Sequence, residues 1–168
     1  MNGLGRVFDV SPSTVPVDLN TAGSTGLRVD MQDCTAVAFI VSLAAAGSGT
    51  EDVTLDLQQH TAGSGGTSGD LDVVTSYYLK SEATLDNDET WTKVTQSAAS
   101  EVTLAGATYA ATQVVVVIEV DAAQLSAGYT HVSLNVTDPG AVARLGSVVA
   151  LRHGLAVQRA PELLVAPQ

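Results

Sequence analysis

The chain has 168 residues, of which 18 are acidic and 7 are basic, so its net charge is −11 and its isoelectric point is near 4.3. Proteins that bind the phosphate backbone of nucleic acid gain most of their affinity from clustered Lys and Arg, so this balance argues against nucleic acid as a partner. A chain of this length buries roughly 70% of the surface that its unfolded form exposes, so its core needs no disulfide or metal. We therefore expect a single domain.

Cys34 is the one cysteine, which excludes an internal disulfide, and it lies beside the apolar run AVAFIVSL. We expect a buried structural thiol at this position, because free cysteines are among the most buried residues in proteins. The first ten residues, MNGLGRVFDV, lack the basic and long apolar segments of a signal peptide. The longest apolar run, VVVVI at 114–118, is too short to span a bilayer. The sequence therefore predicts neither export nor contact with a membrane.

Strand patterns recur along the whole chain, whereas helical periodicity is almost absent. Runs rich in Val, Thr, Ile and Tyr alternate with clusters of Gly, Ser, Thr and Ala, which are typical of turns. About nine strands at this spacing favour a sandwich or barrel over an α/β fold. The predicted strands cover residues 5–10, 27–31, 36–43, 52–60, 74–80, 91–96, 113–120, 130–137 and 147–153.

Alternation along the strands predicts which faces are buried. In DVTLDLQQH, Val53, Leu55 and Leu57 fall on one face and polar residues on the other, as expected for a sheet that is wet on one side. THVSLNVT alternates in the same way. Residues 114–118 are apolar on both faces, so we expect that strand to be central, or to be covered on its outer side by another subunit or by an arm of the chain.

The connections differ in composition and therefore in predicted role. Residues 44–52 are predicted to join two strands as a hairpin loop, and the Gly- and Ser-rich residues 61–70 are predicted to form a long mobile loop. One helical turn, AAQL, is expected after residue 121, because Asp121 can cap it and Gly128 can end it.

Both ends of the chain have the composition of extended arms. Residues 11–25 hold two prolines and few apolar residues, and residues 154–168 hold two more prolines with the apolar patch LLV. Such arms pair with a neighbouring molecule, or else they are disordered or pack on their own domain. The predicted organisation is an arm at 1–25, a β-sandwich domain at 26–153 and an arm at 154–168.

The last thirty residues are the one mildly basic part of the chain. They contain Arg144, Arg152 and Arg159 against the single acidic residue Glu162. These arginines are either solvated or placed against an acidic neighbour, such as a second copy of this protein.

The sequence contains no motif for catalysis, for a cofactor or for a metal. His60, His131 and His153 lie on three separate predicted strands, without the close spacing of a His-x-His or HExxH site. No serine stands in a GxSxG motif, and Cys34 has no neighbouring base. We expect a protein that is not an enzyme and that has no catalytic residue, cofactor or metal ligand.

The segment DNDETW is similar to the start of a calcium loop, with Asp86 and Asp88 two residues apart. It lacks the glycine at the sixth position, and Ser97 stands where the twelfth residue of such a loop is a glutamate. A solvated acidic turn is the interpretation that this pattern favours.

Three aromatic residues leave two interpretations open. Tyr77, Tyr78 and Trp91 could form a flat platform for carbohydrate, or they could close the core, because Trp91 begins a strand directly after a polar loop.

The order of segments resembles that of small virion proteins of tailed bacteriophages, in particular the head decoration or cement proteins. The resemblance lies in VTLDLQQHTAGSGG, ETWTKVTQSAA, VVVVIEVDAAQLSAGYTHVSLNVTD and GSVVALRHGLAVQRAPE, and it covers roughly residues 36–168. These motifs are patterns of strands and contain no signature residue.

The resemblance implies an all-β, single-domain β-sandwich, of jelly-roll or immunoglobulin-like topology, with extended arms at both ends. It also implies a homo-oligomer, a dimer or trimer, that binds the major capsid protein at the outer surface of the virion after synthesis in the host cytoplasm. There it would stabilise the shell by bridging neighbouring capsid subunits. The expected interface residues are Arg144, Arg152 and Arg159 for charged contacts and Leu163, Leu164 and Val165 for apolar anchoring.

Two other functions remain open at this point. A tail-tube, head-completion or tail-terminator protein would share the fold and would form rings or stacked tubes. A carbohydrate-binding β-sandwich would use the three aromatic residues.

Overall fold

The computed structural model describes residues 3–19, 23–137 and 140–164, and it confirms an all-β chain in which two antiparallel sheets pack together. The strands are β1 (Phe8–Asp18), β2 (Val29–Asp30), β3 (Ala36–Leu43), β4 (Val53–His60), β5 (Ser68–Asp70), β6 (Val74–Glu82), β7 (Thr92–Ala99), β8 (Glu101–Leu104), β9 (Gln113–Asp121), β10 (His131–Val136) and β11 (Leu145–His153). Helix α1 covers Gly106–Tyr109, and two 3₁₀ turns cover Ala122–Gln124 and Pro161–Leu163.

The strands pair in a nested order. β1 pairs with β11, β2 with β10, β3 with β9 and β4 with β8, each time antiparallel. The six-stranded sheet has the order β1, β11, β3, β9, β6, β7, and the five-stranded sheet has the order β2, β10, β4, β5, with β8 also along β4. The four nested pairs therefore alternate between the two sheets, and β5, β6 and β7 extend the sheets from within the innermost pair.

The core lies between the two sheets and is built from alternate residues of each strand. On β9, Val114, Val116 and Ile118 are at most 1% exposed, whereas Val115 and Val117 point to the other side of the sheet and are half-buried. β9 lies between β3 and β6, so the predicted central position of this strand is confirmed. Its second apolar face is turned away from the five-stranded sheet.

Most strand positions could be predicted from the sequence, and the short elements could not. β3 has the predicted bounds, and the 3₁₀ turn after β9 has Asp121 as its cap, as predicted. β5, β8 and α1 were missed, since three or four residues give too short a pattern to recognise. Gly106 begins α1 where the backbone passes Thr50, and a Cβ there would collide with the Thr50 carbonyl oxygen.

Two predicted loops have a different structure. Residues 44–52 do not form a hairpin, because β3 and β4 lie in different sheets and the segment crosses between them. Loop composition does not distinguish such a crossing from a hairpin. Within residues 61–70, β5 pairs with the end of β4, and Arg28 donates hydrogen bonds to the carbonyl oxygens of Ala62 (2.8 Å) and Gly65 (2.6 Å). This loop is therefore anchored to the fold.

The predicted N-terminal arm contains a strand of the sandwich. β1 has eleven residues and pairs along β11 from Phe8 to Asp18, with register shifts next to Thr14. Its prolines, Pro12 and Pro16, are compatible with this position because β1 is an edge strand, where a missing N–H costs no ladder hydrogen bond.

A buried ion pair connects β1 and β11 on the inner side of the sheet. The guanidinium of Arg152 contacts the carboxylate of Asp9, and its Nη1 donates a hydrogen bond to Asp30 O on β2 at 3.3 Å. Both charged side chains are about nine-tenths buried. The pair therefore ties the edge of one sheet to the edge of the other.

We predict that Asp9→Ala lowers the free energy of unfolding by about 3 kcal/mol, because it leaves the Arg152 charge buried without its partner. Asp33→Ala, which removes an exposed carboxylate, is the control and should change the stability little. Urea denaturation measures both, and equal midpoints for the two variants would contradict the structural role of the pair.

Candidate functional site

The two ends of the described chain lie side by side at one end of the sandwich. The segment after β11 is held by hydrogen bonds from Ala156 N to Asp33 O and from Arg159 N to Gly5 O, at 2.9 and 2.8 Å. Four apolar side chains of these two segments are exposed although the segments themselves are fixed. They form what we call the terminal patch: Leu4 (37% exposed), Val7 (60%), Val157 (46%) and Leu163 (64%).

Arg144, predicted to make charged contacts with a partner, lies inside its own fold and is 2% exposed. Its Nε donates to Ala44 O at 2.9 Å, and its Nη2 donates to Tyr109 O at 2.8 Å and to Thr112 O at 3.3 Å. Burial lowers the pKa of this guanidinium. Arg144 therefore does not lie on the surface where the predicted charged contact was expected: carbonyl oxygens of this chain accept from its Nε and Nη2, and its Nη1 is buried without a hydrogen-bond partner among the described residues.

Arg152 was assigned to the same surface and is also buried, since it pairs with Asp9 between the sheets. Arg159 is the one predicted arginine that remains partly exposed, and it lies beside the terminal patch. Of the three arginines that make the last thirty residues mildly basic, one is therefore at the surface and two are inside the fold.

The three residues of the predicted apolar anchor differ in exposure or lie outside the described part of the chain. Leu163 is exposed and belongs to the terminal patch. Leu164 is half-buried, and its side chain lies close to Gly5. Val165 lies outside the described residues.

The three aromatic residues do not act together. Tyr77 is in the core and 7% exposed, whereas Tyr78 and Trp91 are 38% and 49% exposed on the outer side of the six-stranded sheet. They line a shallow groove with Val117 and Glu119. Tyr77 therefore closes the core, whereas Tyr78 and Trp91 lie on an exposed surface.

A row of apolar residues crosses the outer side of the six-stranded sheet, and we call it the outer row. It is set by the strand register, in which each member is the direct neighbour of the next. The sequence indicated an uncovered second face for β9, but it did not indicate which residues of other strands continue that face. The outer row consists of Pro12, Val149, Ile40, Val117 and Tyr78.

Two of the three histidines meet on the outer side of the five-stranded sheet. His60 and His131 are cross-strand neighbours, whereas His153 lies in the other sheet. His60 shares hydrogen bonds with Ser68 Oγ through Nδ1 (2.7 Å) and with Ser133 Oγ through Nε2 (2.9 Å). Ser133 is 1% exposed, whereas Ser68 is exposed and also accepts a hydrogen bond from Arg28 Nη2 at 3.2 Å.

The acidic turn gathers four carboxylates, Glu82, Asp86, Asp88 and Glu89, which offer oxygen atoms within 4.8 Å of one another. Three of the four are exposed. The pKa of Glu82 is raised, first by the charge of Asp88. Asp86 N donates a hydrogen bond to Glu89 Oε1 at 2.7 Å, which accounts for part of the arrangement.

Cys34 is buried and unpaired, as predicted. Burial raises the pKa of its thiol, which keeps it protonated at neutral pH. Its sulfur lies 3.9 Å from the sulfur of Met31.

Comparisons with protein-family models, with curated proteins and with solved structures found no match for this chain. In the part of the chain that the structure describes, no helix is long and apolar enough to cross a membrane.

His60 gives the fold a defined dependence on pH. Burial is the main cause that lowers its pKa from 6.5 to about 4, followed by the charges of Arg28 and His131. Between these two values the unfolded chain binds more protons at this position than the folded chain, so the folded state loses stability as the pH falls from about 6.5 to about 4.

We predict that His60→Gln makes the free energy of unfolding less dependent on pH between these values, because it removes the group that takes up the proton on unfolding. His153→Gln is the matched control and should leave more of the dependence in place. Urea unfolding at a series of pH values measures the slope, and an unchanged slope in His60→Gln would contradict the assignment.

Proposed function

We propose that this chain is a structural virion protein of a tailed bacteriophage, which binds the outside of the capsid and stabilises it by bridging neighbouring capsid subunits. The observation that carries the proposal is the terminal patch. Four exposed apolar side chains are concentrated on two short segments. Single apolar residues scattered over a surface are ordinary, whereas a group of them marks a site of interaction.

The two segments of the terminal patch are hydrogen-bonded to each other and to the body of the fold, which favours binding. They are connected by the hydrogen bond from Arg159 N to Gly5 O, and the second segment is tied to the loop before β3 through Asp33 O. A surface that is ordered before it meets its partner loses little conformational entropy on binding. Arg159, beside the patch, supplies a cation for an acidic group of the capsid subunit.

The strand order supports the jelly-roll interpretation of the sandwich. Nested antiparallel pairs that alternate between two sheets are what a jelly roll requires, and jelly rolls are frequent in viral capsid domains. The remaining strands, β5 to β7, then represent an insertion into that plan. Fold alone does not imply function, so the proposal depends on the patch.

The side chains favour binding over catalysis. Among the described residues, the two serines that share hydrogen bonds with a histidine ring, Ser68 (2.7 Å) and Ser133 (2.9 Å), both do so with His60, which is only 6% exposed. The one cysteine is buried as well, with a pKa that is raised. We therefore propose a protein that acts by contact and is not an enzyme.

We predict that Leu163→Asp weakens binding to DNA-filled heads from the source lysate about tenfold or more, because it removes an apolar anchor and adds a charge to the interface. Leu145→Asp is the matched control, since Leu145 is 60% exposed and begins β11, at the opposite end of that strand from the patch. Co-sedimentation with heads, with the number of copies per major capsid subunit, measures the effect.

Equal binding of the two variants would contradict a role of the terminal patch. A fixed ratio with hundreds of copies per particle is expected for a decoration protein. A handful of copies per particle would instead favour a head-completion, tail-terminator or tail-tube protein, for which rings or tubes of the purified protein should be visible in the electron microscope.

A second candidate function, carbohydrate binding, is favoured by the two exposed rings of Tyr78 and Trp91. They lie on one side of a sheet next to Glu119, an arrangement that combines apolar ring faces with a hydrogen-bond acceptor. Lys80 Nζ lies 5.0 Å from the centre of the Trp91 ring, so one face of this ring already has a neighbour.

We predict that, if this surface binds glycans, Trp91→Ala reduces retention on a glycan array about tenfold, because the ring supplies the stacking surface. Tyr129→Ala, which changes a half-buried aromatic residue elsewhere, should leave retention unchanged. Absence of retention for the unmodified protein would eliminate this candidate.

A further inference from the structure

The outer side of the six-stranded sheet has no layer packed over it among the described residues, because these residues form only two sheets and the second packs on the opposite side. Pro12 and Tyr78 are exposed, Tyr78 to 38%, and the other three members of the outer row are half-buried. Leu151 and Val10 are neighbours on adjacent strands and extend the apolar surface beside the row. The apolar row crosses five strands, and Lys93 follows Tyr78 in register on the sixth. A row of this length is larger than the isolated apolar residues of an ordinary protein surface.

Charged residues lie on both sides of the outer row, and their signs differ. Lys80 is the cross-strand neighbour of Val115. Val115 is the residue that precedes Val117 on the outer side of β9. Glu119, the next outward residue after Val117, is the neighbour of Ala38. The row therefore has a basic residue on one side and an acidic residue on the other, at equal distance along the strands.

We propose that a second copy of this chain covers the outer side of the six-stranded sheet, with a two-fold axis along the outer row. This axis exchanges the two sides of the row, so Lys80 of each copy approaches Glu119 of the other. Apolar side chains of the row then meet apolar side chains, and the two charge pairs form on either side of the row. This inference is independent of the proposed function, which concerns the terminal patch.

The charge distribution supports a second copy as the occupant. The chain has a net charge of −11, so two copies repel each other at most orientations. The chain has two lysines, and both lie on this side of the molecule: Lys80 is the cross-strand neighbour of Val115, and Lys93 is that of Tyr78, in line with the outer row. These two cations offset part of the repulsion between two acidic copies that meet on this side.

The available area is sufficient for a stable dimer. Six strands about 4.8 Å apart, each about eight residues long, form a face of roughly 700 Å². Two such faces would bury about 1,400 Å² in total, which is within the range of specific protein–protein interfaces. Sheets packed face to face in this way are a common solution for apolar sheet surfaces.

The first experiment measures the mass of the full chain in solution, by sedimentation equilibrium from micromolar to near-millimolar concentration. A dimer of about twice 17.1 kDa is expected. Val117→Asp should raise the dissociation constant about a hundredfold or more, because it places an unpaired carboxylate at the centre of the interface. Thr103→Asp, the control, adds the same charge to an exposed strand residue of the other sheet and should leave the dimer intact.

A chain that is monomeric at all concentrations would overturn the proposal, and so would a dimer that Val117→Asp leaves unchanged. Glycan binding by a monomer through Trp91 would also overturn it. Thermal melting of both variants establishes that they are folded.

The second experiment tests the two-fold symmetry with substitutions beside the outer row, so no charge is added at the centre of the interface. Lys80→Glu and Glu119→Lys should each weaken the dimer about tenfold, because each places like charges together at both positions beside the row. A mixture of the two single variants should restore association, since each copy then supplies the charge that the other lacks. If the mixture associates no better than the separate variants, these two residues do not meet across the axis.

Discussion

The apolar layer between the two sheets is the constraint on which the rest of the structure depends. Each strand contributes every second residue to this layer, and on β9 these residues are almost completely buried. Because the first strand pairs with the last and the second with the next to last, the layer forms only when the whole chain has folded. The first and last strands, which are far apart in the sequence, are therefore both part of this sandwich.

Two buried arginines complete this layer, one just before β11 and one near its end. Arg144 donates hydrogen bonds to three carbonyl oxygens, and Arg152 is paired with Asp9. A buried guanidinium costs much desolvation energy unless its hydrogen bonds are made, so both positions depend on accurate backbone placement. The same side chains that give the end of the sequence its basic character thus hold the sandwich together.

The molecule presents two apolar surfaces at different positions on one rigid body. The terminal patch lies where the two ends of the chain meet, and the outer row crosses the middle of the larger sheet. A protein with one surface for a shell and another for its own copy can connect neighbouring subunits of that shell, which is the action proposed for a decoration protein. The acidic remainder of the surface would keep free copies apart before assembly.

The sequence by itself determined the fold class, most strand positions and which face of a strand is buried, because alternation of side chains is a local property of an extended chain. Thus Val53, Leu55 and Leu57 were assigned to the core from their spacing, and all three are fully buried. Only the tertiary structure decided which strands are neighbours and where the arginines point. Arg144 and Ala44 are 100 residues apart in the sequence. Their hydrogen bond could not be predicted from the sequence, because only the pairing of the strands brings the two residues together. The outer row was hidden for the same reason, since its members belong to five different strands that only the register of the sheet brings into line.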